Sequence, residues 1–425
     1  MEIHVVKPGE SVYSIAREYG IQTMRPIADN ELRDPSVLAV GQTLVILPRE
    51  QIYAVRDGDT LTSIAARYGT TVNALYRNNP MLGGLPNIVQ GQVLVISYEE
   101  EKFPGSYTVM GYAYPFIDRA VFRKTLPYLT YANLFTYGFT PDGTLVVPDD
   151  AELTGITAEY PARPLLVFST LTPQGTFNSG LSTLLFRDED LRGRVIGALM
   201  LEAVNKNYAG IDVDFEYIPG DSREGYVAFI RQLADALHGV DKILTVALAP
   251  KTSDGQAGLL YEGIDYAALG GIADYVLIMT YEYGYTYGPP MAVSPLNEIR
   301  RVAEYAVSRI EPGKVLLGVP NYGYDWKLPY VRGESKAESI SNVEAVERAV
   351  AVGAEIAFDE TAMSPYYTYT SGGAEHIVWF EDARSVRAKL ELMRSLGLGG
   401  AGYWNIMRYF PQNWLVLNAL VNIRP

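Results

Sequence analysis

The stretch "YAGIDVDFEYIPG" at residues 208–220 alternates acidic and apolar side chains. Asp212, Asp214 and Glu216 take every second position, and the residues between them are apolar. Successive side chains of a β-strand point to opposite faces, so a strand here places three carboxylates on one face and hydrophobes on the other. A solvated edge strand tolerates that pattern, whereas a buried strand tolerates it only where the acids have a function.

Short apolar runs alternate with amphipathic segments on both sides of this stretch. The order predicts parallel β-strands covered by helices, an α/β fold. The eight candidate strands are "YTVMGYAY", "ANLFTYGF", "PLLVFST", "AGIDVDFEY", "ILTVALAP", "DYVLIMTYEY", "KVLLGVPNYG" and "GLGGAGYWNI". Eight such units predict a TIM (β/α)8 barrel over residues 104–425, with a small α+β insertion at about 322–380.

The acidic stretch is the fourth strand of this barrel. Every strand of a closed barrel is internal, so the acidic face must point into the barrel. Neighbouring buried carboxylates raise one another's pKa, an arrangement typical of catalytic sites. Glu216 falls at the carboxyl end of the strand, where barrel enzymes carry their active sites. An EF-hand calcium loop is excluded, because Tyr217 and Arg223 stand where it needs glycine and glutamate.

The first hundred residues contain a repeat. "HVVKPGESVYSIAREYGI" (4–21) aligns with "YAVRDGDTLTSIAARYGT" (53–70), 49 residues later. Each copy predicts a strand, two helices and a second strand, which gives two βααβ domains at 1–49 and 50–99. Ser11 and Thr60 are the expected N-caps of the first helix in each copy.

Composition narrows the classes of function. The net charge of −14 argues against nucleic acid as a partner. The absence of cysteine excludes disulfides and a cysteine nucleophile, and the three histidines form no metal motif. We expect neither a metal nor a cofactor. No apolar run is long enough for a membrane span, and the first residues carry no signal-peptide pattern. We expect a monomer.

Both repeats resemble the LysM module, which binds glycans containing N-acetylglucosamine. The second copy matches more closely, because Asn30 in the first is followed by Glu31 rather than proline. "AGIDVDFE" resembles the DGxDxDxE signature of glycoside hydrolase family 18, the chitinase-like family. "MTYEYG" (279–284) is similar to the sixth-strand M-x-Y-D motif, with Glu282 in place of aspartate. "NYGYDW" (321–326) and "GGAGYW" (399–404) are similar to the seventh and eighth strands of that family.

The family 18 resemblance implies a role for each matching residue. Glu216 is the general acid and then the base, Asp214 orients the N-acetyl group of the substrate, and Asp212 supports Asp214. The acetamido carbonyl of the substrate attacks its own anomeric carbon, so no second carboxylate acts as nucleophile. The remaining roles are Tyr281 as hydrogen-bond donor to that carbonyl, Trp404 as the floor under the sugar, and Glu282, Met279, Tyr112, Asn321 and Tyr322 as further residues of the groove.

The order of two LysM modules and a barrel resembles the spore cortex-lytic enzymes of endospore-forming bacteria. That resemblance implies an N-acetylglucosaminidase, located in the bacterial spore, that cleaves cortex peptidoglycan fragments containing muramic lactam during germination. Two alternatives stay open: a chitinase acting on chitin oligomers, and a non-catalytic chitinase-like lectin, which the intact Glu216 disfavours. Endo and exo action are not distinguished.

Overall fold

The computed structural model describes residues 1–99 and 101–425, and residues 2–98 form two modules of the same build. Their elements are β1 (Glu2–Val5), α1 (Val12–Glu18), α2 (Met24–Asp29), β2 (Thr43–Ile46), β3 (Arg49–Ala54), α3 (Leu61–Tyr68), α4 (Val72–Asn78) and β4 (Val93–Tyr98), with a 3-10 turn at Pro80–Leu82. In each module the two strands pair antiparallel. Ser11 and Thr60 cap α1 and α3 through capping boxes with Ser14 and Ser63, as the sequence predicts.

Strands and helices then alternate along the chain. The strands up to residue 320 are β5 (Thr108–Ala113), β6 (Tyr131–Phe139), β7 (Leu145–Val146), β8 (Arg163–Phe168), β9 (Gly210–Val213), β10 (Ile243–Leu248), β11 (Tyr275–Ile278) and β12 (Val315–Pro320). The helices among them are α5 (Arg119–Thr125), α6 (Ala151–Thr157), α7 (Ser179–Arg187), α8 (Glu189–Asn205), α9 (Arg223–His238), α10 (Tyr266–Ile272) and α11 (Leu296–Val307). Three 3-10 turns lie at Leu126–Tyr128, Gly220–Ser222 and Pro312–Lys314.

A second, antiparallel sheet interrupts this alternation after β12. Its elements are β13 (Gly323–Lys327), β14 (Glu338–Ile340), α12 (Asn342–Val352), β15 (Ala357–Asp359), β16 (Ser364–Ser371) and β17 (Ala374–Trp379). The five strands follow the order β14-β13-β17-β16-β15. The chain ends with α13 (Ala383–Ser395), β18 (Gly400–Trp404) and α14 (Pro411–Leu420).

The eight-stranded barrel predicted from the sequence is confirmed. Its parallel strands follow the order β5-β18-β12-β11-β10-β9-β8-β6, and β6 pairs with β5 to close it. β7 pairs antiparallel with the end of β6. Close strand contact requires glycine at position 400, because a Cβ there would lie 1.8 Å from the carbonyl oxygen of Thr108. Within residues 1–99 and 101–425, no helix has the length and apolar character needed to cross a membrane.

Two apolar layers stabilise the barrel. Inside it, side chains such as Met110, Val167 and Leu316 fill the interior. Outside it, apolar residues of the strands pack against the helices. Phe215 and Phe229 of α9 are stacked there, with ring centroids 5.8 Å apart. The outward side chains of β9 and the residues that follow it are therefore buried under helices, which leaves only the inward positions for polar groups.

Both modules pack against the barrel. In the first module, the Thr43 hydroxyl donates to the Gln412 side chain of α14 at 2.8 Å. The Val40 carbonyl of the same module accepts at 2.8 Å from the N–H of Ile356, which precedes β15 of the second sheet. In the second module, the Asn78 side chain accepts from Asn418 of α14 at 2.9 Å. The side chains of Thr43, Gln412, Asn78 and Asn418 are all buried. The modules are therefore docked against the barrel rather than joined to it by an open linker.

Candidate active site

Asp212, on β9, lies deepest in the barrel. It is fully buried, and one carboxylate oxygen accepts a hydrogen bond from the Tyr112 hydroxyl at 2.7 Å. The other oxygen accepts from the Thr245 hydroxyl of β10. Burial raises the pKa of Asp212, and these hydrogen bonds, which favour the charged form, oppose that shift. Both carboxylate oxygens of the buried Asp212 therefore accept a hydrogen bond.

Asp214 lies one step nearer the carboxyl end, just beyond β9. Its Oδ1 atom is buried and has no hydrogen-bond partner among the residues that the structure describes. Burial is the main cause that raises the pKa of Asp214 well above its ordinary value, and the charges of Glu216 and Asp212 add to it. A buried acceptor without a donor is costly unless a ligand supplies one.

Glu216 is the outermost of the three acids. Its side chain reaches solvent at the mouth of the barrel, whereas Phe215 beside it is buried. The surrounding walls still remove enough water that desolvation is the first cause of its raised pKa, followed by repulsion from Glu282. The three carboxylates therefore form a line from the barrel interior to the solvent, as the period of two predicts.

A groove opens over these acids at the carboxyl ends of the strands. It encloses a cavity of about 460 Å³. Aromatic and aliphatic side chains form most of the wall, and polar atoms converge on one side. The lining residues are Tyr114, Phe135, Thr170, Phe177, Ser179, Asp214, Glu216, Tyr217, Ala249, Pro250, Leu260, Tyr261, Met279, Tyr281, Glu282, Tyr283 and Trp404. An apolar cleft with a few convergent polar groups is the usual form of a ligand site.

Trp404, the last residue of β18, forms part of the groove floor. Its ring lies 5.1 Å from that of Phe135, 5.6 Å from that of Tyr112 and 6.1 Å from that of Tyr114, measured between centroids. These neighbours fix the indole in place. An immobilised aromatic face is suited to the apolar face of a sugar ring.

The segment after β11 supplies Met279, Tyr281 and Glu282 to the groove. Glu282 has a left-handed backbone, with φ of 64°. One of its carboxylate oxygens accepts hydrogen bonds from the hydroxyls of Tyr322 and Tyr324, the latter at 3.0 Å. Burial raises the pKa of Glu282, and the two tyrosine hydrogen bonds oppose the shift. The carboxylate is therefore held in a fixed direction.

The groove continues past Trp404 into a second cavity of about 380 Å³. Asn321, Tyr322 and Glu282 line it. The Asn321 side-chain amide donates to the carbonyls of Asn405 at 2.9 Å and Arg408 at 2.7 Å, which fixes the loop after β18. Glu282 and Trp404 border both cavities, so one continuous groove passes over them.

Eight of the ten predicted site residues line the two cavities, and Asp212 is buried beneath them. Tyr112, expected to line the groove, is instead 2% exposed and donates its hydroxyl to Asp212. The sequence analysis also missed Thr245 and Tyr324. Thr245 is the one polar residue in "ILTVAL", a signal that it faces the barrel interior.

Among the described residues, no group of three or more potential ligand side chains is arranged to hold a metal ion.

Comparison with known families matches two models. Residues 172–408 match the glycosyl hydrolases of family 18, and residues 4–47 and 53–97 match the LysM domain. The match to family 18 extends over more than half of the chain. It includes the acidic stretch, the segment after β11 and Trp404.

Similar proteins extend over the whole chain. The cortical fragment-lytic enzyme of Bacillus subtilis (strain 168) is 38% identical over 434 residues, which cover 100% of this chain and 99% of that protein. The crystal structure of the Bacillus cereus spore cortex-lytic enzyme SleL superposes with a TM-score of 0.83 at 35% identity, covering 99% of this chain and 98% of that one. The Bacillus megaterium QM B1551 SleL structure gives 0.82 at 34% identity, covering 98% and 97%. The chain therefore belongs to family 18 of the glycosyl hydrolases and carries two LysM modules ahead of its barrel.

Proposed function

We propose that the protein is a retaining, substrate-assisted N-acetylglucosaminidase that cleaves spore cortex peptidoglycan fragments containing muramic lactam. The observation that carries the proposal is the line of three carboxylates that ends at Glu216 in a groove floored by Trp404. The LysM pair binds the same glycan. Several relatives that extend over the whole chain are cortex-lytic by name, which supports the cortex as substrate and the spore as location.

Glu216 is the general acid in this proposal. A carboxyl group must hold its proton near neutral pH to protonate a glycosidic oxygen, and burial shifts the pKa of Glu216 upward, in the direction that this role requires. Once the leaving sugar has departed, the same carboxylate takes a proton from water. Its position at the mouth of the groove gives it access to both the glycan and solvent.

Asp214 and Tyr281 act on the acetamido group of the substrate. The unpaired Oδ1 of Asp214 accepts the acetamido N–H, which turns the carbonyl oxygen towards the anomeric carbon. Tyr281, in the wall of the groove, donates its hydroxyl to the same acetamido group. The carbonyl then attacks, an oxazolinium forms, and water opens it with net retention. Asp212, held by Tyr112 and Thr245, keeps Asp214 in place.

The experiment that tests this proposal is mass spectrometry of products from cortex muropeptides and, in parallel, from chitin oligomers. Each substrate is treated with native protein and with Glu216→Gln, and proton NMR of the first product reports the anomer. We expect cleavage of the cortex material after N-acetylglucosamine, retention of configuration, and loss of both with Glu216→Gln.

Other outcomes would redirect the proposal. Cleavage of chitin oligomers alone would make the protein a chitinase, the class of the Pseudomonas fluorescens Pf-5 structure that is 26% identical, with a TM-score of 0.67, and covers 74% of this chain. Inversion of configuration would exclude the acetamido group as nucleophile. Binding of both glycans without cleavage would support a lectin.

A further inference from the structure

The ionisable groups that line the larger cavity are all acids. Asp214, Glu216 and Glu282 line the larger cavity, and no lysine, arginine or histidine is among its lining residues in the described parts of the chain. The rest of the wall is aromatic, aliphatic or hydroxylated. A ligand that carries a carboxylate therefore finds acidic groups and no counter-ion beside the acid Glu216.

Lys251 and Arg408 adjoin this wall but do not supply it with a positive charge. Lys251 follows the lining residue Pro250, but its ammonium group donates to the carbonyl oxygens of Asp254 and Ile264 and is not part of the wall. Arg408 lines only the second cavity, beyond Trp404, where it is exposed and donates to the Ser339 carbonyl at 3.4 Å. Neither offers a counter-ion at the position of the bond to be cut.

Glu282 is the lining acid whose charge can be tested separately from the reacting groups. It borders both cavities, and the hydroxyls of Tyr322 and Tyr324 fix one of its oxygens. A fixed carboxylate cannot rotate away from an incoming anion. Unlike Asp214 and Glu216, it has no step assigned to it in the proposed reaction, so its charge can be varied while the reacting groups are kept.

We propose that the groove selects glycans whose sugars beside the scissile bond are uncharged, and rejects by charge the same glycan bearing a free carboxylate there. This inference rests on the proposed function only in taking the groove as the place where glycan is cleaved. Unmodified N-acetylglucosamine and an internal lactam are neutral and enter. A sugar with a free acidic ether substituent is repelled, and Glu282 supplies a large part of the repulsion.

The test uses two chitotetraose derivatives that differ only in charge. One carries a carboxymethyl ether on O3 of an internal sugar, and the other carries the carbamoylmethyl ether, which has nearly the same shape and no charge. We expect kcat/KM to be at least about tenfold higher for the neutral ether at low salt, because like charges about 10 Å apart repel across an intermediate dielectric. The difference should shrink at about 1 M salt, where the screening length is about 3 Å.

Two variants assign the effect to the groove. Glu282→Gln should reduce the ratio of kcat/KM between the neutral and the charged ether at low salt. The control Glu304→Gln removes an exposed acid from α11 on the outside of the barrel. It should leave the kcat/KM ratio between the two ethers as it is in the native protein. If turnover of chitotetraose is too slow, calorimetric affinities for the same two ethers, measured with Glu216→Gln, should show the same preference for the neutral ether.

Equal values for the two ethers at low salt would overturn the charge filter, and so would a difference that persists unchanged at high salt, since shape would then be its cause. These outcomes do not depend on the cortex assignment. Failure to cleave cortex muropeptides would refute the proposed function, while the ratio between the two chitotetraose ethers would still decide the filter.

Discussion

At the scale of single residues, the site is built by a graded burial of three carboxyl groups. Asp212 is buried and hydrogen-bonded, Asp214 is partly buried with its buried Oδ1 unpaired, and Glu216 reaches solvent. From Asp212 outward, the carboxyl groups have fewer hydrogen bonds from the protein and are more accessible to a substrate. The alternation in the sequence predicts this line, but it does not predict which oxygen lacks a partner, because that depends on Tyr112 and Thr245 from other strands.

Asp214→Asn should stabilise the fold at neutral pH. The pKa of Asp214 is raised in the folded state, so the folded protein disfavours its charged form. Below the ordinary value of 3.8 the group costs no stability, and the free energy of unfolding falls as pH rises above that value. Removing the titrating group should add about 1 kcal/mol or more to the free energy of unfolding at pH 7. Urea unfolding between pH 4 and 7 measures this, and a gain that does not grow with pH would contradict it. Activity should be lost at the same time.

Glu282→Gln should shift the pH profile of cleavage. Repulsion from Glu282 raises the pKa of Glu216, so removing that charge should lower it. The alkaline limb of kcat/KM reports the acid that must stay protonated, and it should move to lower pH. The profile is measured with a neutral chitin oligomer, and Glu304→Gln should leave it in place. A shift to higher pH would show that Glu282 acts on Glu216 by other means than its charge.

At the scale of elements, the close contact between β18 and β5 requires a residue without a side chain at position 400 of β18. Gly400→Ala should lower the free energy of unfolding by several kcal/mol, roughly the cost of an overpacked core, because its Cβ would overlap the Thr108 carbonyl. Gly197→Ala is the matched control: it lies within α8 with no atom near the added Cβ, and it should gain about 0.5–1 kcal/mol from helix propensity. Thermal unfolding of both variants measures the contrast, and similar losses would refute it.

Sequence patterns predict those elements whose signals are local. The eight barrel strands follow from apolar runs, and the caps at Ser11 and Thr60 follow from residue type and spacing. Tyr324 shows the limit. It reaches Glu282 because β13 pairs antiparallel with β17, about fifty residues later, and no local pattern encodes that pairing. Tyr112 was misplaced for a related reason, since its depth depends on Asp212 a hundred positions away.

At the scale of the whole molecule, the modules contribute to the stability of the barrel. A flexible tether would predict that removal of residues 1–99 weakens binding to insoluble glycan and spares turnover of small fragments. The buried contacts through Gln412 and Asn418 add a further expectation, because deletion exposes apolar surface and removes the hydrogen bonds of these side chains to the modules. The truncated barrel should therefore melt at a lower temperature than the full chain.

Calorimetry of the full and truncated chains, with turnover of a soluble fragment measured well below both melting temperatures, separates the two effects. We expect retained turnover on soluble fragments, weaker retention on insoluble glycan, and a lower melting temperature. An unchanged melting temperature would mean that the docking contacts add no net stability. Loss of soluble turnover in a folded barrel would mean that the modules take part in the reaction.

The docked modules also limit how far the enzyme can reach. A catalytic domain on a long linker samples many bonds around its anchoring point, whereas here the separation between a glycan held by the modules and Glu216 is set by packed surfaces. An anchored molecule can then cut only those bonds that already lie at that separation, and further cleavage requires release and rebinding or movement of the glycan itself. Short, freely diffusing pieces satisfy that requirement more readily than an intact, cross-linked wall.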